Sequence, residues 1–141
     1  MRALQARLAS HGVTFGHWTF LRILWERDGL TQRALSAEAG VSEPTTVAAL
    51  RAMEKAGYVT RSQAERNRKN VYVHLTPKGR ALKTKLVPLA VAVNEIGLAG
   101  VSAADRAATQ RTLLAIIDNL REETRNQTGS PLSRGRQPRN P

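Results

Sequence analysis

The side chains able to do chemistry in this sequence fall in two places. One is Ser42-Glu43-Pro44-Thr45-Thr46, followed at helical spacing by Arg51 and Lys55. The other is the segment 61–85, where Arg61, Arg66, Arg68, Lys69, Lys78, Arg80, Lys83 and Lys85 stand against the single acid Glu65. Hydroxyls, guanidinium groups and free helix N–H groups hold oxyanions and planar hydrogen-bonding edges, and they break no bonds. Catalytic patterns are missing. His11, His17 and His74 are scattered, no third ligand accompanies His11 and His17, and no Ser/His/Asp order or phosphate-cradling glycine loop occurs. The expectation is therefore a protein that is not an enzyme and carries no metal or cofactor. The chain has no cysteine, which excludes disulfides and thiol-based sensing and fits a reducing, cytoplasmic setting.

The net charge is +11 from 22 Lys+Arg and 11 Asp+Glu. Such an excess points to a polyanion, with nucleic acid ahead of an anionic membrane surface. No apolar run is long enough to span a bilayer, and Met1–Gln5 lacks the apolar stretch of a signal peptide.

The elements that must position these residues can be read from period and punctuation. Leu4 and Leu8 suggest a short helix over 1–10. After a break at His11–Thr14, Leu21, Leu24 and Trp25 mark a buried helix ending near Asp28-Gly29. Thr31 is an expected N-cap for a helix over Gln32–Ala39 that stops at Gly40, and Ser42 caps the next, with Pro44 in its first turn and Gly57 after its end. Two short helices around a glycine turn make a helix-turn-helix. Tyr58-Val59-Thr60 and Val71–Leu75 read as strands joined by a basic loop over Arg61–Asn70, which is a wing. A long helix with Leu82, Leu86, Leu89, Val93 and Ile96 follows, interrupted by Pro88. Ser102 and Asp105 open a last helix carrying Leu113, Leu114, Ile116, Ile117 and Leu120. Residues 125–141, rich in Pro, Gly, Ser and Asn with four arginines and no acid, read as a disordered basic tail.

At roughly 100° per residue, Thr46, Ala49, Leu50 and Met53 share one side of the Ser42 helix, while Pro44, Thr45, Ala48, Arg51 and Lys55 share the other. The outer side is small at its start and cationic towards its end. That suits a DNA major groove. Thr and Ala methyls can meet thymine methyls, Arg51 can fork onto a guanine, and Glu43 can accept from a cytosine amino group. Thr hydroxyls and the N–H groups at the helix N-terminus can hold phosphates.

The run LTQRALSAEAGVSEPTTVAALRAMEKAGYVTR, with NRKNVYVHLTPKGR after it, resembles the MarR family of bacterial transcriptional regulators over Val13 to Arg80. The resemblance implies a mainly α fold with a small β-wing: a winged helix-turn-helix over 13–77, flanked by dimerisation helices at 1–12 and 78–124. It implies a homodimer on double-stranded DNA, probing an inverted repeat with half-sites about one helical turn apart. Gln32 and Arg33 would lie near the DNA backbone, Ser42 to Arg51 would supply the reading face, and Arg66, Arg68 and Lys69 would serve the wing. The family's wing pattern is Asp-Arg-Arg, whereas this chain has Asn67-Arg68-Lys69, a point charge in place of the last guanidinium fork. Many members bind small aromatic or phenolic carboxylates beside the DNA-binding lobe, and His11, His17, Trp18 and Arg22 are the candidates here. The peroxide-sensing branch, which needs a reactive cysteine, is excluded.

The expected function is a MarR-type regulator, in the sense of a repressor released by such an effector. The competing reading is a non-specific or architectural DNA binder with no ligand. A single-strand stacking platform is disfavoured, since only 4% of residues are aromatic.

Overall fold

The computed structural model describes residues 2–64 and 67–129, with backbone alone at 64, 67, 68, 128 and 129. In chain order the elements are α1 (Arg2–Ala9), α2 (Phe15–Glu26), β1 (Leu30–Thr31), α3 (Gln32–Ala39), α4 (Glu43–Lys55), β2 (Val59–Ala64), β3 (Asn67–Leu75), α5 (Pro77–Gly97) and α6 (Ala103–Gly129). The chain divides into two compact units, Met1–Gly97 and Leu98–Pro141.

Capping sets the helix starts in the first unit. Thr14, Thr31 and Ser42 are each extended, and each side-chain oxygen accepts a backbone N–H from the first turn of α2, α3 and α4 respectively. The turn between α3 and α4 passes through Gly40 at φ 66°, a left-handed conformation that glycine adopts without strain. The apolar faces then converge on one core in which Leu8, Leu21, Leu24, Leu35, Leu50, Met53, Val73 and Leu86 are fully enclosed. α1 and α5 pack on one another within this unit.

The sheet is antiparallel in the order β1-β3-β2, with Leu30 opposite Val73 and Val59 opposite Leu75. One element was not expected and one expectation is corrected. The two-residue strand β1 carries no signal of its own and forms because β3 offers it a free edge. The stretch 61–70, expected as a loop, is mostly paired strand. Arg61, Ser62 and Gln63 sit opposite Val73, Tyr72 and Val71, and a bulge follows before Ala64 meets Asn67. Cross-strand pairing overrides the weak strand preference of these polar residues.

In the second unit Ser102 caps α6. Its hydroxyl accepts from Asp105 N at 3.1 Å and lies 2.6 Å from the Asp105 carboxylate. Arg106 donates to Leu98 O and Val101 O, closing the preceding turn. α6 reaches Gly129, five residues into the segment expected to be disordered, because Arg, Glu and Gln over 121–127 propagate a helix well. The rest of that tail, with Arg134, Arg136 and Arg139, lies outside the described residues. Leu113, Leu114, Ile116, Ile117 and Leu120 are 41–63% exposed on α6.

Candidate nucleic-acid interface

The α3–α4 pair is locked by a buried hydroxyl contact. Thr46 is fully enclosed and Ser36 is 5% exposed, and the Ser36 hydroxyl donates to Thr46 Oγ1 at 2.8 Å. Each is also tied to its own helix, Ser36 to Gln32 O at 3.0 Å and Thr46 to Ser42 O at 3.1 Å. Leu50 and Met53 continue the inward stripe with no exposure. This fixes which side of α4 faces out. Ser42, Glu43, Pro44, Thr45, Ala48, Arg51 and Lys55 are all exposed, so the structure gathers the expected reading residues on one solvent-facing surface. The Ser42 and Thr45 hydroxyls lie 2.8 Å apart at its head.

Arg33 on α3 is exposed and stands 3.9 Å from the Glu43 carboxylate, so these two candidates meet across the helix-turn-helix. Gln32 is half-buried, and its side-chain oxygen accepts from Arg61 at 3.5 Å. It points to the sheet and not outwards with Arg33. In the wing, Lys69 is exposed on β3. Arg66 lies outside the described residues, and so does the side chain of Arg68.

Four cations of the basic segment are engaged by groups of the protein itself. Arg61 is bound to Glu54, with Nη2 at 2.7 Å and Nε at 3.0 Å from Oε2. Arg80 pairs with Asp28 at 2.8 Å, Lys83 lies 3.6 Å from Glu26, and Lys78 donates to Ala56 O at 2.8 Å over the Tyr58 ring. Burial alone would raise the Asp28 carboxyl. Hydrogen bonds from Leu75 N, Arg80 and Gly29 N, with the Arg80 charge, outweigh it and hold the group below its ordinary range. The Arg61 hydrogen bond likewise lowers Glu54.

The sequence reading missed the structural role of Thr76-Pro77-Lys78-Gly79. The Thr76 hydroxyl donates to Gly57 O at 2.6 Å and accepts from Gly79 N at 3.0 Å, while Gly79 O accepts from Trp25 Nε1 at 3.0 Å. A Cβ on Gly79 would stand 2.1 Å from Tyr58 O. The signal was present in the sequence, as a threonine capping a helix that then requires glycine. Its partners, 19 to 54 residues away, were not.

The structure brings Trp18 and Arg22 together and gives His17 and His11 other surroundings. Trp18 is buried edge-on against Trp25, with the exposed Arg22 guanidinium 5.9 Å above its ring. His17 packs edge-on against Tyr58 at 6.4 Å. Its Nδ1 is enclosed without a hydrogen-bond partner, and burial lowers its pKa below 6.5. His11 is exposed in the turn after α1. A shallow cleft between α1 and α2, lined by Gln5, Ala9, Gly12, Val13, Thr14 and Phe15, contains none of the four.

Comparison with known proteins agrees with this geometry. A profile of the MarR family matches residues 13–71. The HTH-type transcriptional regulator TtmR of Methylorubrum extorquens is 30% identical over 129 residues, 92% of this chain; the chain spans 63% of that regulator's length. A crystallised MarR transcriptional regulator from Methanosarcina mazei superposes with a TM-score of 0.80 at 26% identity, over 85% of this chain and 86% of that one. The crystallised transcriptional regulator PA3341 is 32% identical with a TM-score of 0.73, over 84% of this chain and 88% of that one.

Proposed function

The chain belongs to the MarR family of transcriptional regulators, and from that premise we propose that it represses transcription by binding an inverted-repeat operator in duplex DNA as a homodimer. The observation that carries this is the two-sided build of α4. Thr46, Leu50 and Met53 are completely enclosed, while Pro44, Thr45, Ala48, Arg51 and Lys55 all reach solvent beside a basic two-stranded wing. In this reading α4 enters the major groove, Arg51 donates to a guanine edge, Thr45 and Ala48 contact thymine methyls, and Arg33, Ser42 and Lys69 hold phosphates. Arg66 and Arg68 would extend the wing contacts.

Dimerisation is supported by α6. Five large apolar residues within eight positions stand 41–63% exposed, a face that water disfavours and a second copy can cover. Among the described residues no helix is long and apolar enough to cross a membrane, and we place the regulator with its DNA in the cytoplasm. Release by a small aromatic or phenolic carboxylate is the finer part of the proposal. It rests on the Trp18–Arg22 pair, an aromatic face with an exposed cation above it.

Selection of bound fragments from a random duplex library, at about 0.15 M salt, tests the central claim. An enriched inverted repeat with half-sites about one turn apart supports it. Binding without enrichment favours the non-specific architectural reading.

A further inference from the structure

Glu54 lies in the last turn of α4, where the helix dipole opposes a carboxylate and favours the neighbouring Lys55. Nothing local recommends an acid there. Its partners explain it. Glu54 Oε2 accepts both Nε, at 3.0 Å, and Nη2, at 2.7 Å, of Arg61, while Oε1 accepts the Arg61 backbone N–H at 3.1 Å. One carboxylate thus holds both the side chain and the main chain of the same wing residue.

Arg61 sits in β2 opposite the fully buried Val73, whose other neighbour in the sheet is Leu30 of β1. Its remaining guanidinium nitrogen, Nη1, reaches Gln32 Oε1 at 3.5 Å, at the first residue of α3. The guanidinium therefore stands where the supporting helix begins, the reading helix ends and the wing leaves the core. The Arg61 side chain is 23% exposed and that of Glu54 38%. Partial exclusion from water strengthens such a forked pair relative to one on the open surface.

We propose that Glu54, Arg61 and Gln32 form a positioning clamp that sets the wing against the reading helix, and that Arg61 is not itself a contact to DNA. The inference rests on the DNA-reading function proposed above. The groove-reading face and the wing must engage one duplex together, so their relative placement sets how well a preferred site is distinguished from other DNA. A clamp at their junction acts on that ratio. A phosphate-holding arginine acts on all sequences alike and on salt dependence.

The experiment measures affinity for the selected repeat and for a scrambled duplex across a salt series, with unfolding midpoints of the same full-length proteins. Wild type is measured first, and equal affinity for both duplexes there would overturn the DNA-reading function and the clamp with it. Glu54→Gln keeps the shape and removes the charge, and Arg61→Lys keeps the charge and removes the fork. The clamp requires both variants to lose roughly tenfold in preference, an interaction energy of about 1.4 kcal/mol, with scrambled-duplex affinity and salt slope held at wild-type values. It also requires the double variant to lose no more than either single one. An Arg61→Lys protein with wild-type preference, beside an Arg61→Ala protein whose salt slope falls by about one on both duplexes, would make Arg61 a phosphate contact and overturn the clamp. A lower unfolding midpoint with unchanged preference would reduce the trio to a stabilising contact and overturn it equally.

Discussion

Replacing Thr46 by valine removes the hydroxyl that joins the two helices of the helix-turn-helix while keeping its volume. The consequences follow from the hydrogen bonds. Ser42 O loses the Thr46 hydroxyl but keeps the Thr46 backbone N–H at 3.0 Å. Ser36 loses its acceptor on α4 but keeps Gln32 O at 3.0 Å. No buried donor is orphaned, so the cost is the net value of one or two hydrogen bonds, about 1–2 kcal/mol, reduced somewhat by the added methyl. Ser36→Ala removes the same interhelical bond from the other side and costs about 1 kcal/mol. Once one hydroxyl is gone, removing the other loses less. The double variant therefore falls short of the sum by about 0.5–1.5 kcal/mol. Urea unfolding of the four proteins at one fixed concentration measures this. Additivity within about 0.3 kcal/mol would mean that the two hydroxyls do not support each other, and the account of what aims α4 would fail. Binding supplies a second check, because a looser α3–α4 angle should weaken the preferred duplex more than a scrambled one.

Arg51→Ala should relax preference at one base position at a cost of about 1–3 kcal/mol, whereas Lys69→Ala should weaken all sequences evenly and lower the salt slope by about one; duplex arrays across a salt series separate the two. Gly79→Ala should destabilise by about 1–3 kcal/mol or more, because its Cβ meets Tyr58 O at 2.1 Å, and a wild-type urea midpoint would contradict that packing. His17, with its folded pKa below the ordinary 6.5, should contribute stability above pH 6.5 that is lost as pH falls towards the folded value, since the unfolded chain then binds the proton more readily. His17→Phe should flatten that stretch of the stability profile, while the acid limb from Asp28 and Glu54, whose pKa values are also lowered, should remain. Ile117→Glu, which puts a charge on the exposed face of α6, should shift sedimentation towards a single chain and abolish tight binding to the full repeat.

The parts of the fold visible in the sequence were those set by neighbours in the chain. Thr14, Thr31, Ser42 and Ser102 cap helices because a hydroxyl reaches an N–H three residues on, a relation that spacing alone reveals. The inward stripe of α4 follows from the helical period for the same reason. The extended wing strands did not show, since Arg61–Gln63 are strand only by virtue of partners ten or so residues later. Side-chain pairing was hidden for a related reason. Asp28 and Arg80 are 52 residues apart, and their contact depends on Leu75 bringing its N–H to the same carboxylate. Gln32 looked like a backbone-facing polar residue at a helix start, but Arg61 draws it to the sheet.

Those hidden pairs change how the charge is to be understood. The basic segment 61–85 suggests a continuous cationic surface, yet Arg61, Lys78, Arg80 and Lys83 each meet an oxygen or an acid of the protein itself. Their partners Glu54, Asp28 and Glu26 come from elements that precede the segment, so no local count could have paired them. The cations therefore divide by position in the fold. Those at the base of the wing and the start of α5 join secondary-structure elements, while Arg51 stands exposed on the helix that would face DNA. A cation already held by a carboxylate has little to gain from a phosphate, because it must give up one charge-assisted bond to form another. Affinity for any duplex should thus depend little on the tethered cations, and preference for one duplex on how firmly Arg61 and Glu54 hold the wing and α4 in register.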